Sequence, residues 1–233
     1  MAREDRDGLM PTRVDLDLSV YLVTDRGLCG ARGTIETVRQ AIAAGATIVQ
    51  LRDPLAKTRA LVEEARALAA LLRPAGVPFI VNDRVDVAIA AGADGVHLGQ
   101  SDMTVADARA LMGPQPILGL SITAMADLDA CDLAGVDYLG VGPVFATSTK
   151  ADAAPAMGPA GLAAIRAATR LPIVAIGGIS AANAAEVMAA GADGIAVVSA
   201  ICAAPDVGAA TRELAGIVAG GRKRVTRSQV FSR

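Results

Sequence analysis

The stretch Val81–Asp102, VNDRVDVAIAAGADGVHLGQSD, indicates how the chain is built. It reads as the end of a buried strand, a short helix over Val85–Ala91, a stop at Gly92 and a second strand that contains GVHL. An acidic residue follows each strand, at Asp83 and Asp102. If the two strands are parallel neighbours, both carboxylates emerge at the same edge of the sheet.

These two carboxylates have two interpretations. At the carboxyl edge of a parallel sheet they suit a hard cation such as Mg²⁺, which takes few protein ligands and completes its shell with water and substrate phosphate. Aspartates placed directly after strands also cap the helices that follow them. The spacing of Asp83 and Asp102 leaves both interpretations open.

One sequence pattern recurs along the chain: the end of an alanine-rich helix, a glycine and a buried strand. Its glycines are Gly45, Gly92, Gly135 and Gly191. They are separated by roughly the length of two βα units, which predicts a barrel of similar units. The expected strands are Val20–Thr24, Ile48–Leu51, Pro78–Val81, Gly95–Leu98, Ile117–Leu120, Tyr138–Val141, Ile173–Ile176 and Gly194–Val198. The pattern therefore predicts an α/β fold, a single (β/α)8 TIM barrel, with an open doubly wound sheet as the alternative.

The length of the chain agrees with one barrel domain. Its 233 residues, 53% of them hydrophobic, match the usual size of this fold and can fill one core. We predict a catalytic barrel over residues 16–219, a flexible segment over residues 1–15 and a flexible basic tail over residues 220–233. The alternative for the tail is a partner-binding arm.

Composition excludes several classes of protein. No apolar run is long enough to span a membrane, and no secretory leader is visible. Cys29, Cys131 and Cys202 show neither CxxC nor Cys/His spacing, so we expect no zinc site, no disulfide framework and a cytoplasmic location. A net charge of −2 with 2% aromatic residues lacks the basic, stacking surface of nucleic-acid binding. Small-molecule substrates are the expected partners, without nucleic acid or membrane. The sequence leaves open whether the chain forms a homo-oligomer.

In a barrel, the residues that follow the strands form the active site. Gln50 and Arg52 share one face at the end of the second strand, which would direct the arginine into the mouth toward a phosphate. The alternative is that Arg52 pairs with an aspartate of the rim. Ser121, at the end of the fifth strand, either donates a hydrogen bond to a ligand or caps the next helix.

Two other regions indicate anion sites. The loop Gly142–Lys150, GPVFATSTK, is rich in hydroxyl groups and ends in a cation, as a mobile anion-binding lid would be, although ordinary polar loops share this composition. Gly178 and Ser199 follow the last two strands, where many barrels bind a phosphate through backbone N–H groups. A tight turn would equally require glycine there.

The inventory of reactive side chains narrows the chemistry. His97 is the single histidine and falls within a strand, where a satisfied core residue is expected. There is no plausible nucleophile–base pair and no strand-borne Schiff-base lysine, which argues against hydrolase and aldolase chemistry. A metal, an arginine, a lysine and two anion sites instead favour the electrostatically stabilised departure of a diphosphate.

Six segments, in this order, resemble the thiamine phosphate synthase family over about Val20–Ile201. They are QLRD at Gln50, VNDRVD at Val81, ADGVHLGQSD at Ala93, GPVFATSTK at Gly142, AIGGI at Ala175 and ADGIAVVSAI at Ala192. The resemblance implies an Mg²⁺-dependent transferase of thiamine biosynthesis. It would join 4-amino-2-methyl-5-(diphosphooxymethyl)pyrimidine to a thiazole phosphate, giving thiamine phosphate and diphosphate without a protein base.

The resemblance also implies roles for individual residues. Asp83 and Asp102 match the metal ligands of the family. Contacts to the pyrimidine diphosphate are implied for Gln50, Arg52, Asn82, Ser121 and Lys150, of which Arg52, Ser121 and Lys150 are the candidate catalytic residues. The thiazole phosphate site is implied at Thr147, Ser148, Thr149, Gly178, Val198 and Ser199.

Some positions depart from the family pattern. Pro54 stands where the family usually has a lysine, and Lys57 or Arg84 would have to supply that charge. Thr123 stands where the thiazole tautomerase branch of the superfamily relies on a histidine. A tautomerase and a catalytically silent phosphate-binding barrel are therefore the two alternatives to a synthase; Pro54 favours the silent barrel, and the two aspartates and Lys150 oppose it.

Overall fold

The computed structural model describes residues 16–149 and 154–230; for residues 223–230 it describes the backbone alone. Its strands are β1 (Val20–Val23), β2 (Ile48–Leu51), β3 (Phe79–Asn82), β4 (Gly95–Leu98), β5 (Ile117–Ile122), β6 (Tyr138–Val141), β7 (Ile173–Ile176) and β8 (Gly194–Val197). Each strand pairs in parallel with the next, and β8 pairs with β1 to close the barrel. The predicted (β/α)8 barrel is confirmed, and the open sheet is excluded.

Helices follow the strands in the expected alternation. They are α1 (Arg26–Cys29), α2 (Thr34–Ala43), α3 (Thr58–Leu72), α4 (Val85–Ala91), α5 (Val105–Met112), α6 (Met125–Ala130), α7 (Gly158–Ala168), α8 (Ala184–Ala189), α9 (Ser199–Cys202) and α10 (Val207–Val230). Within residues 16–149 and 154–230, none of these helices has the length and apolar character needed to cross a membrane.

The strand boundaries differ from the predicted ones by a few residues. β3 starts and ends one residue later than expected, so that Asn82 belongs to the strand and pairs with His97 of β4. β5 continues to Ile122 because Ser121 and Ile122 still pair with Gly140 and Val141 of β6. As a consequence, Asn82 and Ser121 are held by the sheet itself rather than by loops.

Side chains of alternate residues divide the core into two layers. Val20 and Leu22 of β1 face the surrounding helices, whereas Tyr21 and Val23 face the barrel interior. The hydrophobic part of this interior consists of Leu18, Tyr21, Val23, Ile48, Ile80, Tyr138, Val174 and Ala196. This small interior supports the carboxyl ends of the strands from below.

The last helix extends beyond the expected end of the barrel domain. α10 continues to Val230, past the boundary that the sequence predicts at residue 219. Arg222 attaches the helix to the barrel, because its Nε donates to the carbonyl of Asp193 at 3.1 Å and its Nη1 lies 3.3 Å from the Asp17 carboxylate. Flexibility of the tail stays a prediction, and the expected segment 1–15 and residues 231–233 lie outside the described residues.

Candidate functional site

A cavity of about 1380 Å³ opens at the carboxyl ends of the strands, and every strand contributes lining residues. Most residues that the sequence placed at the site line it: Gln50, Arg52, Asn82, Asp83, Asp102, Ser121, Thr147, Thr149, Gly178, Val198 and Ser199. Ser148 is described but does not line the cavity, and Lys150 lies outside the described residues. Side chains far apart in sequence therefore meet in one concave site, as the strand-end argument predicted.

Asp83 has an unusual backbone conformation. Its φ is +60°, and it is the one non-glycine residue of the described chain with a positive φ. An aspartate tolerates this region better than most residues, but the conformation still costs free energy and is typical of functional sites. A hydrogen bond of 2.8 Å from the Asp83 N–H to the carbonyl of His97 helps to hold it.

Neither aspartate caps the helix that follows it. Arg84 occupies the N-cap of α4 without a side-chain bond, and the Thr104 hydroxyl caps α5 by accepting from the N–H of Asp107. The Asp102 carboxylate instead accepts the N–H of Gly99 at 2.8 Å, within the cavity rim. Neither Asp83 nor Asp102 thus occupies the N-cap position that the capping interpretation assigned to it.

The donor set fits a hard divalent cation. Asp83 and Asp102 line one cavity, and the described residues contain no group of three or more His, Cys, Asp or Glu side chains that could enclose a metal. A closed structural zinc site needs four such ligands, whereas Mg²⁺ is commonly held by one or two carboxylates, substrate phosphates and water. The two aspartates therefore suit Mg²⁺ better than a transition metal.

Arg52 is available for an anion. Its backbone N–H donates to the Thr24 hydroxyl at 3.1 Å, which fixes the chain where β2 ends. The alternative pairing with a rim aspartate is not seen, because Asp53 is bound by Arg26 at 2.8 Å and no described side chain accepts a hydrogen bond from the Arg52 guanidinium. Arg52 thus lines the cavity with unsatisfied donors.

The expected substitutes for the lysine missing at Pro54 do not reach the cavity. Lys57 is exposed before α3 and is not a lining residue. Arg84 points to Asp86, whose carboxylate lies 2.6 Å away, and also stays outside the lining. Besides Arg52, the described cation that lines the cavity together with Pro54 is Arg26 of α1. On this side of the site, Arg26 rather than Lys57 therefore faces the cavity.

Packing against the loop after β6 requires a glycine at position 178, whether or not a ligand binds there. Its φ is +62°, and a Cβ there would lie 2.5 Å from the carbonyl oxygen of Ala146 and 2.8 Å from the Cβ of Phe145. The Asn183 amide donates to the Gly178 carbonyl at 2.9 Å and fixes the turn. This glycine brings the loops after β6 and β7 together, so its presence alone does not identify a phosphate site.

A buried hydrogen-bonded chain, which the sequence did not reveal, forms the floor of the cavity. The Gln50 amide Nε2 donates to the Tyr21 hydroxyl at 2.8 Å, and this hydroxyl lies 2.8 Å from that of Tyr138. The Tyr138 hydroxyl lies 2.9 Å from Nδ1 of His97, whose Nε2 lies 3.0 Å from the Ser121 hydroxyl. Five side chains from five strands are thus linked across the barrel.

His97 is the satisfied core residue that the sequence predicted, but it also lines the cavity. Its side chain is buried, and both ring nitrogens have a partner. Burial lowers the pKa of His97 to about 4, so the imidazole is neutral near pH 7. A neutral ring whose nitrogens are both engaged is unsuited to act as a general base.

Thr123 is also committed to a structural role. Its hydroxyl donates to the Asp127 carboxylate at 2.6 Å, and the same carboxylate accepts the N–H of Ala124 at the start of α6. The position at which a tautomerase would need its histidine therefore holds part of a helix cap.

The comparisons with known proteins agree with this geometry. The family model described as thiamine monophosphate synthase matches residues 20–201. The thiamine-phosphate synthase of Xanthobacter autotrophicus is 64% identical over 206 residues, covering 88% of this chain and 98% of that protein. That of Azorhizobium caulinodans is 58% identical over 207 residues, covering 89% and 98%.

Solved structures give the same result. The thiamine phosphate pyrophosphorylase of Pyrococcus furiosus superposes with a TM-score of 0.81 at 42% identity, covering 88% of this chain and 98% of that one. A 3-hexulose-6-phosphate synthase, at 21% identity and a TM-score of 0.64, shares the fold alone. The chain belongs to the thiamine monophosphate synthase family.

Proposed function

We propose that the chain is a thiamine phosphate synthase, a transferase that joins the pyrimidine diphosphate to a thiazole phosphate and releases diphosphate. One relative of this name is 64% identical across nearly its whole length. The observation that carries the proposal is the cavity itself. Two carboxylates, and an arginine without an ion-pair partner among the described residues, line the same space as the loops after β6, β7 and β8. This arrangement suits two phosphorylated ligands.

The size of the cavity supports the binding of two substrates at once. Pockets for a single small ligand commonly measure about 300 to 1,000 Å³. The present cavity of about 1380 Å³ exceeds that range. We assign the pyrimidine diphosphate to the side of Gln50, Arg52, Asn82, Ser121 and the two aspartates, with Lys150 as a further contact. The thiazole phosphate is assigned to Thr147, Ser148, Thr149, Gly178, Val198 and Ser199.

In the proposed reaction the bond between the pyrimidine methylene carbon and the diphosphate oxygen breaks first. The diphosphate keeps the electron pair, and its negative charge is met by the guanidinium of Arg52, which can bind two phosphate oxygens through parallel N–H bonds. Mg²⁺, held by Asp83 and Asp102, would supply further positive charge for the leaving group. The ring nitrogen of the thiazole then donates its lone pair to the cationic methylene carbon.

This sequence of steps requires no protein base. The thiazole nitrogen is a neutral nucleophile with a free lone pair, so no proton has to be removed before it attacks. The cavity agrees, because the neutral His97 is fully engaged in hydrogen bonds and Thr123 belongs to a helix cap. A tautomerase has to move a proton, and the position of its histidine holds Thr123 here. A silent barrel would not need to keep two aspartates and an arginine in the lining of one cavity.

A coupling assay tests the function directly. Purified protein is mixed with both substrates, with Mg²⁺ or with excess chelator, and thiamine phosphate is measured by chromatography. We expect product and an equal amount of diphosphate with Mg²⁺ and none with chelator. Product from the thiazole phosphate alone, with an isomerised ring, would instead indicate a tautomerase. Tight binding of both substrates without product would indicate the silent barrel.

Arg26 is expected to take over the electrostatic role of the missing lysine. It lies 2.8 Å from Asp53 and 2.6 Å from Glu64, so Arg26→Gln would leave two carboxylates uncompensated, of which Asp53 lines the cavity. A charge interaction of about 1 kcal/mol at this exposed position should raise the Michaelis constant for the pyrimidine diphosphate roughly fivefold. Steady-state kinetics check this, with Lys57→Ala as the control that should change little. A larger effect in Lys57→Ala than in Arg26→Gln would assign this role to Lys57 instead.

A further inference from the structure

The hydrogen-bonded chain on the cavity floor has a direction, because each hydroxyl group carries a single proton. Gln50 Nε2 is a donor without acceptor capacity, so the Tyr21 oxygen accepts from it and the Tyr21 proton turns to Tyr138. The Tyr138 proton is then directed to Nδ1 of His97. A neutral imidazole that accepts at Nδ1 carries its proton at Nε2, which donates to Ser121.

The direction of the chain decides what its two ends offer to a ligand. Because the Gln50 amide nitrogen is used within the floor, its carbonyl oxygen remains as an acceptor. Because Ser121 accepts from His97, its own proton remains as a donor. Gln50 and Ser121 both line the cavity, and Tyr138 between them does not. The floor therefore presents one acceptor and one donor at separate places.

We propose that Tyr21, Tyr138 and His97 are positioning residues that fix Gln50 as the acceptor and Ser121 as the donor, so that the floor selects an aminopyrimidine. The exocyclic amino group of such a ring is a donor, and the adjacent ring nitrogen is an acceptor. An oxo-pyrimidine, with oxygen in place of the amino group, presents the opposite pattern and leaves both ends unsatisfied. This inference rests on the proposed function for the identity of the ligand.

The barrel is built around this chain. A Cβ at Gly119 would overlap the ring of Tyr138 and Nδ1 of His97, and one at Gly140 would lie 2.7 Å from Cε1 of His97. Glycines at these inward positions of β5 and β6 thus make the space that the two rings occupy. Among the described residues, no buried side-chain nitrogen or oxygen is left without a hydrogen-bond partner. A fully satisfied network of this kind fixes its members in one arrangement.

The whole chain can be reversed, but not one link alone. If the Gln50 amide were turned by half a rotation, Tyr21 would donate to it and every later link would change direction in turn. His97 would then carry its proton at Nδ1, and Ser121 would offer a lone pair to the ligand. A mixed direction would leave two donors or two acceptors facing each other in the buried floor, which is costly. The tautomer of His97 therefore reports the direction of the entire chain.

The tautomer can be read without ambiguity because His97 is the single histidine of the chain. Untagged protein with ¹⁵N-labelled histidine gives one imidazole spectrum, in which protonated and unprotonated nitrogens resonate far apart. We expect a neutral ring near pH 7, with the proton on Nε2 and none on Nδ1. A proton on Nδ1, or a cationic ring, would overturn the proposal. This spectrum requires no turnover, so it stands apart from the test of the proposed function.

Two near-isosteric variants each remove one hydroxyl group from the hydrogen-bonded chain. Tyr138→Phe removes the donor to Nδ1, and the histidine spectrum should change to a mixture of both tautomers. Tyr21→Phe separates Tyr138 from the Gln50 amide that sets the direction, so the spectrum should again show both tautomers although the hydroxyl of Tyr138 is still present. Thr211→Val is the matched control, since it removes a buried hydroxyl that donates to Val207 within α10, away from the cavity. An unchanged spectrum in Tyr138→Phe would contradict the assignment.

Selectivity gives the second readout. We compare kcat/KM for the aminopyrimidine diphosphate with kcat/KM for its oxo analogue in each variant. Both tyrosine variants should lower this ratio about tenfold, the value of one hydrogen bond, and Thr211→Val should leave it unchanged. A purely structural role would lower both rates equally and keep the ratio. An unchanged ratio in both tyrosine variants would therefore refute the selectivity claim, whereas absence of turnover in the wild type would refute the proposed function.

Discussion

Replacing Asp83 or Asp102 with asparagine is expected to lower Mg²⁺-dependent turnover by about a thousandfold or more. Each substitution removes one carboxylate charge from the proposed metal site, and charge stabilisation of the leaving group by a bound metal ion is worth several kcal/mol. Asparagine is the matched replacement, because it tolerates the φ of +60° at position 83 and can still accept the Gly99 N–H at position 102. The fold should therefore persist.

The measurement is initial rate against Mg²⁺ concentration, with circular dichroism and urea unfolding to check the fold. Asp129→Asn is the control, since Asp129 is exposed on α6 and does not line the cavity. Loss of activity that high Mg²⁺ partly recovers would support a metal-binding role. Wild-type rates in either Asp83→Asn or Asp102→Asn would remove that residue from the proposed site.

Arg52→Gln is expected to lower kcat/KM for the pyrimidine diphosphate about a hundredfold or more. A guanidinium can bind a phosphate through two charge-assisted hydrogen bonds, each worth about 1.5 to 3 kcal/mol. No described side chain accepts a hydrogen bond from the Arg52 guanidinium. The substitution therefore breaks no ion pair within the described residues, and its effect should fall on the bound phosphate. Arg52→Lys retains the charge but not the planar fork, and it should recover part of the rate.

The control for this series is Arg59→Gln, which removes an exposed arginine on α3 outside the cavity. Isothermal titration with inorganic diphosphate in the presence of Mg²⁺ separates binding from chemistry. If Arg52→Gln binds diphosphate as tightly as the wild type and turns over at the same rate, the assignment of Arg52 to the leaving group is wrong.

The barrel was predictable because its signals are local. A helix end, a glycine such as Gly92 and a run of buried residues can each be recognised within about ten residues, and their repetition fixed the strands to within two residues. The cavity followed from topology, since residues after parallel strands must meet at one end of a barrel. Asp83, Asp102 and Arg52 were found in this way.

The floor was not predictable, because its contacts join strands that are distant in sequence. Tyr21 and Tyr138 are separated by 117 positions, and their contact depends on register around the closed barrel. The choice between Lys57 and Arg26 likewise depends on side-chain directions that no spacing encodes. The glycines at positions 119 and 140 were the available signal, since small residues on the inner face of a strand leave room for a large neighbour.

The interior of the barrel is at once hydrophobic core and, as we propose, the surface that recognises the pyrimidine ring, which constrains how such an enzyme can evolve. Tyr21 and Tyr138 are fully buried, so truncating either to a small residue would cost about 3 to 5 kcal/mol, a large share of the stability of a typical domain. Thr147 and Ser199 at the rim are not fully buried, so substitutions there should cost little stability. A lineage under selection for a new phosphorylated partner could therefore change its loops immediately, whereas a new ring specificity would first need mutations that raise stability elsewhere.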